Sequence, residues 1–173
     1  MKDERSIRLA WRIADALLVR DRSSSKVLLD FQPAHDEHLG LSLRWPEARH
    51  RVLTFLQGQA MRKWIGLSLE VEVPDGDLRL GEVIERCACA LVLPASRPLT
   101  PRLVLSALPI SAQERLRWTK DGRLLQAGAV TIRRAHSISV ATYAVETISE
   151  LAEDPSIIAL WREQDALRLH ATG

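Results

Sequence analysis

The stretch "SAQERLRWTKDGRLL", residues 111–125, decides how the second half of the chain is interpreted. Ser111 is followed three residues later by Glu114, a capping box that signals the start of a helix. Gly122 stands where the left-handed residue that closes a helix is expected. Trp118, the aromatic residue between them, is interpreted as an anchor in the core. The stretch therefore predicts a capped helix that carries arginines and a lysine on its surface.

The segments on either side of this helix predict the other parts of a DNA-binding motif. Thr100 before Pro101 is typical of a helix start, and it predicts a short helix ahead of a turn at "PI". After the capped helix, β-type runs at 130–133 and 138–143 flank the polar tetrapeptide "RAHS", which indicates a hairpin. A short helix, a tight turn, a capped helix and a hairpin form a winged helix-turn-helix in outline.

These residues resemble the MerR and phage-excisionase superfamily of DNA-binding domains over about residues 99–150. In that superfamily the second helix typically opens with serine, carries an aromatic residue seven positions on, and ends at glycine before a "GLL" or "GRLP" stretch. Ser111, Trp118 and Gly122, with "GRLL" after them, stand at those offsets, whereas Arg115 replaces the family's usual apolar residue. The resemblance implies double-stranded DNA binding by a bacterial transcriptional regulator, or by a recombination accessory factor of a mobile element.

The resemblance and the chemistry of base recognition together give a set of candidate DNA-binding residues. A helix fits the major groove, where Gln113 suits a bidentate contact to adenine and Arg115 one to guanine. Arg117 and Lys120 suit phosphates, as does the N-terminus of the helix. Basic residues at the hairpin tip would reach the minor groove or the backbone. The full set is Arg102, Ser111, Gln113, Arg115, Arg117, Lys120, Arg123, Arg133, Arg134 and His136.

Charge is distributed unevenly along the chain. Residues 97–140 carry eight basic and two acidic side chains and therefore a charge of +6, while residues 1–96 balance at zero and residues 141–173 carry −4. A basic segment in a nearly neutral chain favours a polyanionic partner. The same charge leaves open an alternative function as a protein–protein adaptor or non-catalytic subunit of a nucleoprotein complex, in which this segment contacts RNA or an acidic protein.

The segment "PASRPLT" predicts a boundary between two domains, residues 1–96 and 97–173. We expect an α+β protein in which an N-terminal mixed α/β module precedes a winged helix-turn-helix and a C-terminal helix. The N-terminal module has no net charge and begins with an amphipathic helix over residues 3–20. We assign this module to contact with a protein partner or to homodimerisation.

Within the N-terminal module, alternation of apolar residues predicts strands at "VLLDF", "HLGLSLRW" and "LSLEVEV". Pro46 predicts the start of a helix that reaches about Lys63. Periodicity does not decide between a helix and a buried strand for residues 81–93.

Candidates for chemistry are few. "HDEH" at residues 35–38 is interpreted as a polar loop because a metal site needs a further ligand. Glu70 and Glu72 suggest part of a nuclease site, but the lysine of the common motif does not follow. No phosphate-binding, dinucleotide-binding or nucleophile-elbow motif is present. We therefore expect a protein that is not an enzyme and uses no metal or cofactor.

The remaining expectations concern location. The chain has two cysteines, Cys87 and Cys89, which are too close for an easy disulfide and are interpreted as small apolar residues. No apolar run approaches the ~20 residues that span a bilayer, and the first residues lack the apolar segment of a signal peptide. We expect a cytoplasmic protein with no membrane partner.

Overall fold

The protein, in a computed structural model, divides into two compact units, Met1–Arg97 and Pro98–Gly173. The structure describes residues 4–23, 26–58, 62–73, 77–133 and 137–171. Helices and small antiparallel sheets occur together, so the predicted α+β class is confirmed.

The first unit combines a four-stranded antiparallel sheet with helices that share its core. The strands lie in the order Leu18–Ser23 (β1), Lys26–Asp30 (β2), Ser68–Glu72 (β4) and Arg62–Ile65 (β3). Ile13 of the first helix, Leu29 and Leu69 of the central strands and Leu91 of the last helix are fully buried in that core. The elements are α1 (Glu4–Ala16), β1 (Leu18–Ser23), β2 (Lys26–Asp30), α2 (Gln32–Glu37), α3 (Leu39–Leu43), α4 (Trp45–Phe55), β3 (Arg62–Ile65), β4 (Ser68–Glu72) and α5 (Asp77–Ser96).

The helix α5 contains a proline whose effect is compensated by two arginines. Pro94 has no N–H, so the carbonyl of Ala90 lacks its usual donor from within the helix. Arg51 Nε donates to that carbonyl at 3.1 Å. Arg44 Nη1 donates to the carbonyl of Pro94 at 2.9 Å. The arginines satisfy carbonyls that would otherwise be left buried without a donor, and they tie α4 and its N-terminal end to α5.

The strand predicted at "HLGLSLRW" is wrong, because these residues form α3 and lead into α4. Gly40 explains the difference. A Cβ at this position would lie 2.2 Å from the carbonyl oxygen of Ala95 in α5, so only glycine permits the two helices to approach this closely. Leu41 is fully buried in this contact. Over so short a run, alternating leucines fit a helical turn as well as a strand.

Three further boundaries differ from the prediction. The helix from Pro46 ends at Phe55 and not near Lys63, since Gly58 adopts a φ of 95° and the chain re-emerges as β3. The first helix stops at Ala16, and the residues after it form the edge strand β1. The segment "HDEH" is no loop, because its first three residues belong to α2, which has Pro33 in its first turn.

The second unit contains two short helices, a β-hairpin and two longer helices in chain order. They are α6 (Pro101–Ala107), α7 (Ala112–Lys120), β5 (Gly128–Arg133), β6 (Ser137–Thr142), α8 (Val145–Glu153) and α9 (Pro155–Ala171). The hairpin base is fixed by paired backbone hydrogen bonds between Leu99 and Tyr143, at 2.7 and 2.9 Å. The helices and the hairpin predicted for this half are therefore confirmed as separate elements.

Candidate nucleic-acid interface

The helix α7 starts and ends as the sequence predicts. The Ser111 hydroxyl accepts from the backbone N–H of Glu114 at 3.1 Å, and the Glu114 carboxylate accepts from the backbone N–H of Ser111 at 2.7 Å. Gly122 follows the helix with a φ of 84°. Both signals act through local backbone geometry, which is why the sequence alone was sufficient to locate them.

One side of α7 packs against α9. Trp118 is fully buried, and its ring meets that of Trp161 edge-on with 5.0 Å between centroids. Its indole Nε1 donates to the carboxylate of Asp165 at 2.9 Å. The predicted role of Trp118 as a core anchor is confirmed, and α9 is the element on which it is anchored.

The carboxylate of Glu114 forms a second connection between α7 and α9. Arg162 Nε donates to it at 2.7 Å, and the same guanidinium also donates to the carbonyl of Pro109 in the turn before α7. The hydrogen bond from Arg162 lowers the pKa of Glu114 to about 2, with burial opposing the shift and the backbone N–H of Ser111 adding to it. The carboxylate of Glu114 is therefore kept ionised by its contact with Arg162 of α9.

Asp165 on α9 forms ion pairs with two of the predicted DNA-binding arginines. Its carboxylate lies 2.7 Å from Nη2 of Arg117 and 2.5 Å from Nη2 of Arg123. Burial acts to raise the pKa of Asp165, but hydrogen bonds from Arg123 and Trp118 hold it below its usual value. The side chain of Arg123 is only 14% exposed and also donates to the carbonyl of Trp161. Arg123 is therefore part of the internal packing.

Arg115 occupies a second side of α7, toward the hairpin base. Its Nη1 donates to the hydroxyl of Tyr143 at 2.7 Å, and the hydroxyl of Thr119 lies 3.0 Å from the same oxygen. Tyr143 is fully buried, and Nε of Arg115 is buried as well. In this conformation the guanidinium is committed to Tyr143, so the guanine contact expected for Arg115 would require it to leave that site.

The third side of α7 faces solvent. Gln113, Leu116, Arg117 and Lys120 are all exposed, and they lie at positions i, i+3, i+4 and i+7, which share one face of a helix. Leu116 is 58% exposed, and the side chain of Arg117 is 51% exposed although it contacts Asp165. We call these four residues the outer face of α7.

Three other predicted residues lie in described parts of the second unit but outside this face. Arg102 is exposed on α6, and Ser111 is exposed at the start of α7. Arg133 ends β5, where its backbone pairs in register with Ser137. Arg134 and His136, expected at the hairpin tip, lie outside the described residues.

Sequence reasoning missed the acidic side chains that neutralise part of the basic segment. Arg117 is 48 positions before Asp165, and no local pattern connects them. The +6 charge counted along residues 97–140 is therefore reduced in space, because Asp165 of α9 joins the segment. The basic character of the outer face depends on Arg117 and Lys120 alone.

The other candidates for chemistry remain dispersed. Glu70 pairs with Lys26 at 3.6 Å, and His35 with Asp36 at 2.8 Å. Within the part of the chain that the structure describes, no three His, Cys, Asp or Glu residues are arranged to hold a metal ion. No described helix combines the length and apolar character that crossing a membrane requires. No protein-family model, curated protein or solved structure gives a significant match to this chain.

Proposed function

We propose that the second unit binds double-stranded DNA through the outer face of α7. The observation that carries this proposal is the division of α7 into three sides. Two sides are fixed, by Trp118 on α9 and by Arg115 on Tyr143, while the third presents an amide, two cations and one apolar side chain to solvent. A rigidly held helix with such a surface suits the major groove.

Each residue of the outer face has a chemical match on DNA. Gln113 is near the N-terminus of α7, the part of a recognition helix that meets base edges, and its amide suits adenine. Leu116 supplies an apolar contact for a thymine methyl group. Arg117 and Lys120 neutralise phosphates. Exposed residues of β5 and β6 follow α7 in the chain order of a winged helix-turn-helix.

The protein then acts by occupying a site, as a transcriptional regulator or a recombination accessory factor, and not by chemistry. Arg115 and Arg123 contribute to this function indirectly. They hold α7 against Tyr143 and Asp165, so they orient the helix and need not touch DNA themselves.

The test measures binding of the full chain to a random-sequence duplex by fluorescence anisotropy between about 50 and 200 mM salt. We expect affinity that falls steeply with salt. Replacing Arg117 and Lys120 by Ala together should reduce the slope of log K against log salt by about 2, one unit for each phosphate that is no longer neutralised. The matched control is Lys26→Ala with Lys63→Ala, which removes two exposed positive charges from the first unit and should leave the slope unchanged.

Sequence reading is tested separately, on a duplex selected from a random library. Gln113→Ala should weaken binding to the selected site and leave binding to random duplex and the salt slope unaltered. Equal affinity of the double variant and the wild type, with intact circular dichroism, would refute the DNA proposal. Tighter binding to single-stranded RNA than to any duplex would also refute it, in favour of the adaptor alternative.

A further inference from the structure

The first unit has an apolar groove between α1 and α5, with a volume of about 680 Å³. Small side chains, together with the half-buried Ile84 and Val92, line its floor, and large exposed side chains form its rims. Ile7 and Trp11 of α1 are 42% and 68% exposed, and Leu93 of α5 is 43% exposed. The small residues are Ala10, Ala14, Gly81, Ala88 and Cys89.

Most groove residues of α1 are not those that hold the helix in place, although Ala14 lines the groove and also packs against the core. Ile13 of α1 and Leu17 just after it are almost fully buried in the core, so α1 is anchored mainly through another face. The apolar stripe of the amphipathic helix, with Trp11 at its centre, instead borders the groove. An exposed stripe of this size next to a groove marks a binding surface.

The shape of the groove favours a macromolecule over a small ligand. A small-molecule site buries its ligand among its walls, whereas Trp11 and Leu93 stand at the rims, with 68% and 43% of their surface exposed. A molecule confined to the floor would leave these side chains exposed. An occupant as wide as two helices would cover both rims and fill the floor.

The same surface carries both a projection and a recess. Trp11 projects from a rim, and the floor of small residues beside it leaves room for a large side chain. An interface between identical subunits related by a two-fold axis requires such a self-complementary patch, because each copy supplies both parts.

Charges of both signs lie beside the groove. On α1, Arg8 and Arg12 directly follow Ile7 and Trp11, and both are exposed. Arg8 also pairs with Glu4 of its own helix, and Asp15 of α1 lines the groove itself. On α5, Glu82 and Glu85 are exposed at the same groove or next to it. A two-fold axis that runs along the groove places each α1 opposite the partner's α5, so that the helix with Arg12 faces the helix that carries Glu82 and Glu85 on both sides.

We propose that the α1–α5 groove is a homodimer interface in which each α1 packs against the partner's α5, with Trp11 seated in the partner's groove. This interface lies within the first unit and does not depend on DNA binding by the second. A face two helices wide and about 20 Å long is at the small end of stable interfaces, which bury about 800 Å² per partner. We therefore expect a dissociation constant in the micromolar range.

The first experiment follows oligomeric state by sedimentation velocity, without DNA, from about 1 to 100 μM. The wild type should convert from monomer to dimer over this range. Trp11→Ala should shift the midpoint at least tenfold upward while circular dichroism stays unchanged, because the anchoring residues of α1 are untouched. Ile65→Ala is the matched control, since Ile65 is 51% exposed on β3 away from the groove, and it should dimerise like the wild type.

Thiol labelling gives a local readout of the same event. Cys89 lines the groove and is half-buried, whereas burial raises the pKa of the Cys87 thiol to about 12 and leaves it unreactive. The rate of labelling at Cys89 should fall as the wild-type concentration rises. In Trp11→Ala it should not depend on concentration.

A charge swap tests how the two copies are arranged. One variant carries Arg8→Glu and Arg12→Glu, so both its helices are acidic at the interface. The other carries Glu82→Arg and Glu85→Arg, so both are basic. Each variant alone should remain monomeric, and an equimolar mixture should form a heterodimer. Dimerisation of the basic variant alone would show that α1 does not face the partner's α5 and would overturn the proposal. A monomeric wild type at the highest concentration would overturn it as well, whatever the outcome with DNA.

Discussion

Replacing Asp165 by Asn tests whether α9 holds α7 in place. The carboxylate of Asp165 accepts from Trp118 and Arg123 at 2.9 and 2.5 Å and lies 2.7 Å from Nη2 of Arg117. Asparagine retains the shape and an oxygen for the indole N–H, but it removes the carboxylate charge that Arg117 and Arg123 share, and Arg123 keeps its ion pair with Asp121. The variant therefore isolates the electrostatic part of the contact from its packing.

The expected decrease in stability follows from how exposed each arginine is. Arg123 is 14% exposed, so its charged hydrogen bond contributes about 2 kcal/mol. Arg117 is 51% exposed, and solvent screening limits its share to about 0.5 kcal/mol. Asp165→Asn should thus lower the stability of the second unit by about 2 to 3 kcal/mol, which corresponds to roughly thirty- to one-hundred-and-fiftyfold faster exchange of protected amides.

Hydrogen exchange followed by mass spectrometry is the appropriate assay, because it separates α7 and α9 from the sheet of the first unit. Exchange in β2 and β4 should be unchanged. Glu163→Gln serves as the control, since it removes a charge from an exposed position of the same helix. If Asp165→Asn changed exchange in α7 by less than about twofold, the range of an ordinary surface substitution, the reasoning about α9 would be refuted.

Three other substitutions test separate contacts. Glu114 has a folded pKa of about 2 against a usual 4.5, so its contribution to stability is complete above pH 4.5 and disappears as pH falls toward 2. Glu114→Gln should therefore make the stability of the second unit depend less on pH over that range. Hydrogen exchange at stepped pH measures this dependence. Arg51→Ala should lower the free energy of unfolding of the first unit by about 1 to 3 kcal/mol, measured with urea. The same substitution should lower it by less in a Pro94→Ala variant, because the N–H that alanine introduces restores the missing donor. Gly40→Ala should destabilise the first unit by about 3 kcal/mol or more in the same assay, because its Cβ meets the carbonyl of Ala95 at 2.2 Å, and an unchanged midpoint would contradict that contact.

The sequence predicts best where the cause is local. The capping box at Ser111, the closing Gly122 and the hairpin pattern each depend on a few neighbouring residues, and the structure reproduces them. "HLGLSLRW" fails for the opposite reason. Its conformation is decided by the backbone of α5, more than 50 residues away, which Gly40 must approach. The periodicity of apolar residues within the segment cannot predict that contact.

The candidate site shows the same difference between local causes, which the sequence reveals, and distant contacts, which it does not. Sequence identifies α7 and its basic residues, but it gives every arginine the same interpretation. Only the folded chain separates Arg115 on Tyr143 and Arg123 on Asp165 from the exposed Lys120, since their partners come from distant segments. The apolar stripe of α1 was likewise evident in the sequence, whereas the groove beside Trp11 exists only once α5 lies next to it.

Both proposals determine one measurable quantity, the number of phosphates that the protein neutralises. Among the predicted DNA-binding residues, Arg115 and Arg123 are engaged internally, and the exposed cations with described side chains are Arg102, Arg117 and Lys120. Contacts from these three residues give a salt slope of about 3. A dimer doubles the number of neutralised phosphates and raises the slope to about 6, and its site would be a palindrome with half-sites about 34 Å apart. Trp11→Ala, which leaves every one of these cations in place, should therefore halve the slope on such a palindrome.

If the slope stays near 3 in the wild type while sedimentation shows a dimer, the dimer exists but binds DNA one copy at a time. If sedimentation shows a monomer and the slope is near 6, DNA contacts come from elsewhere in the chain, and the assignment to the outer face of α7 is wrong.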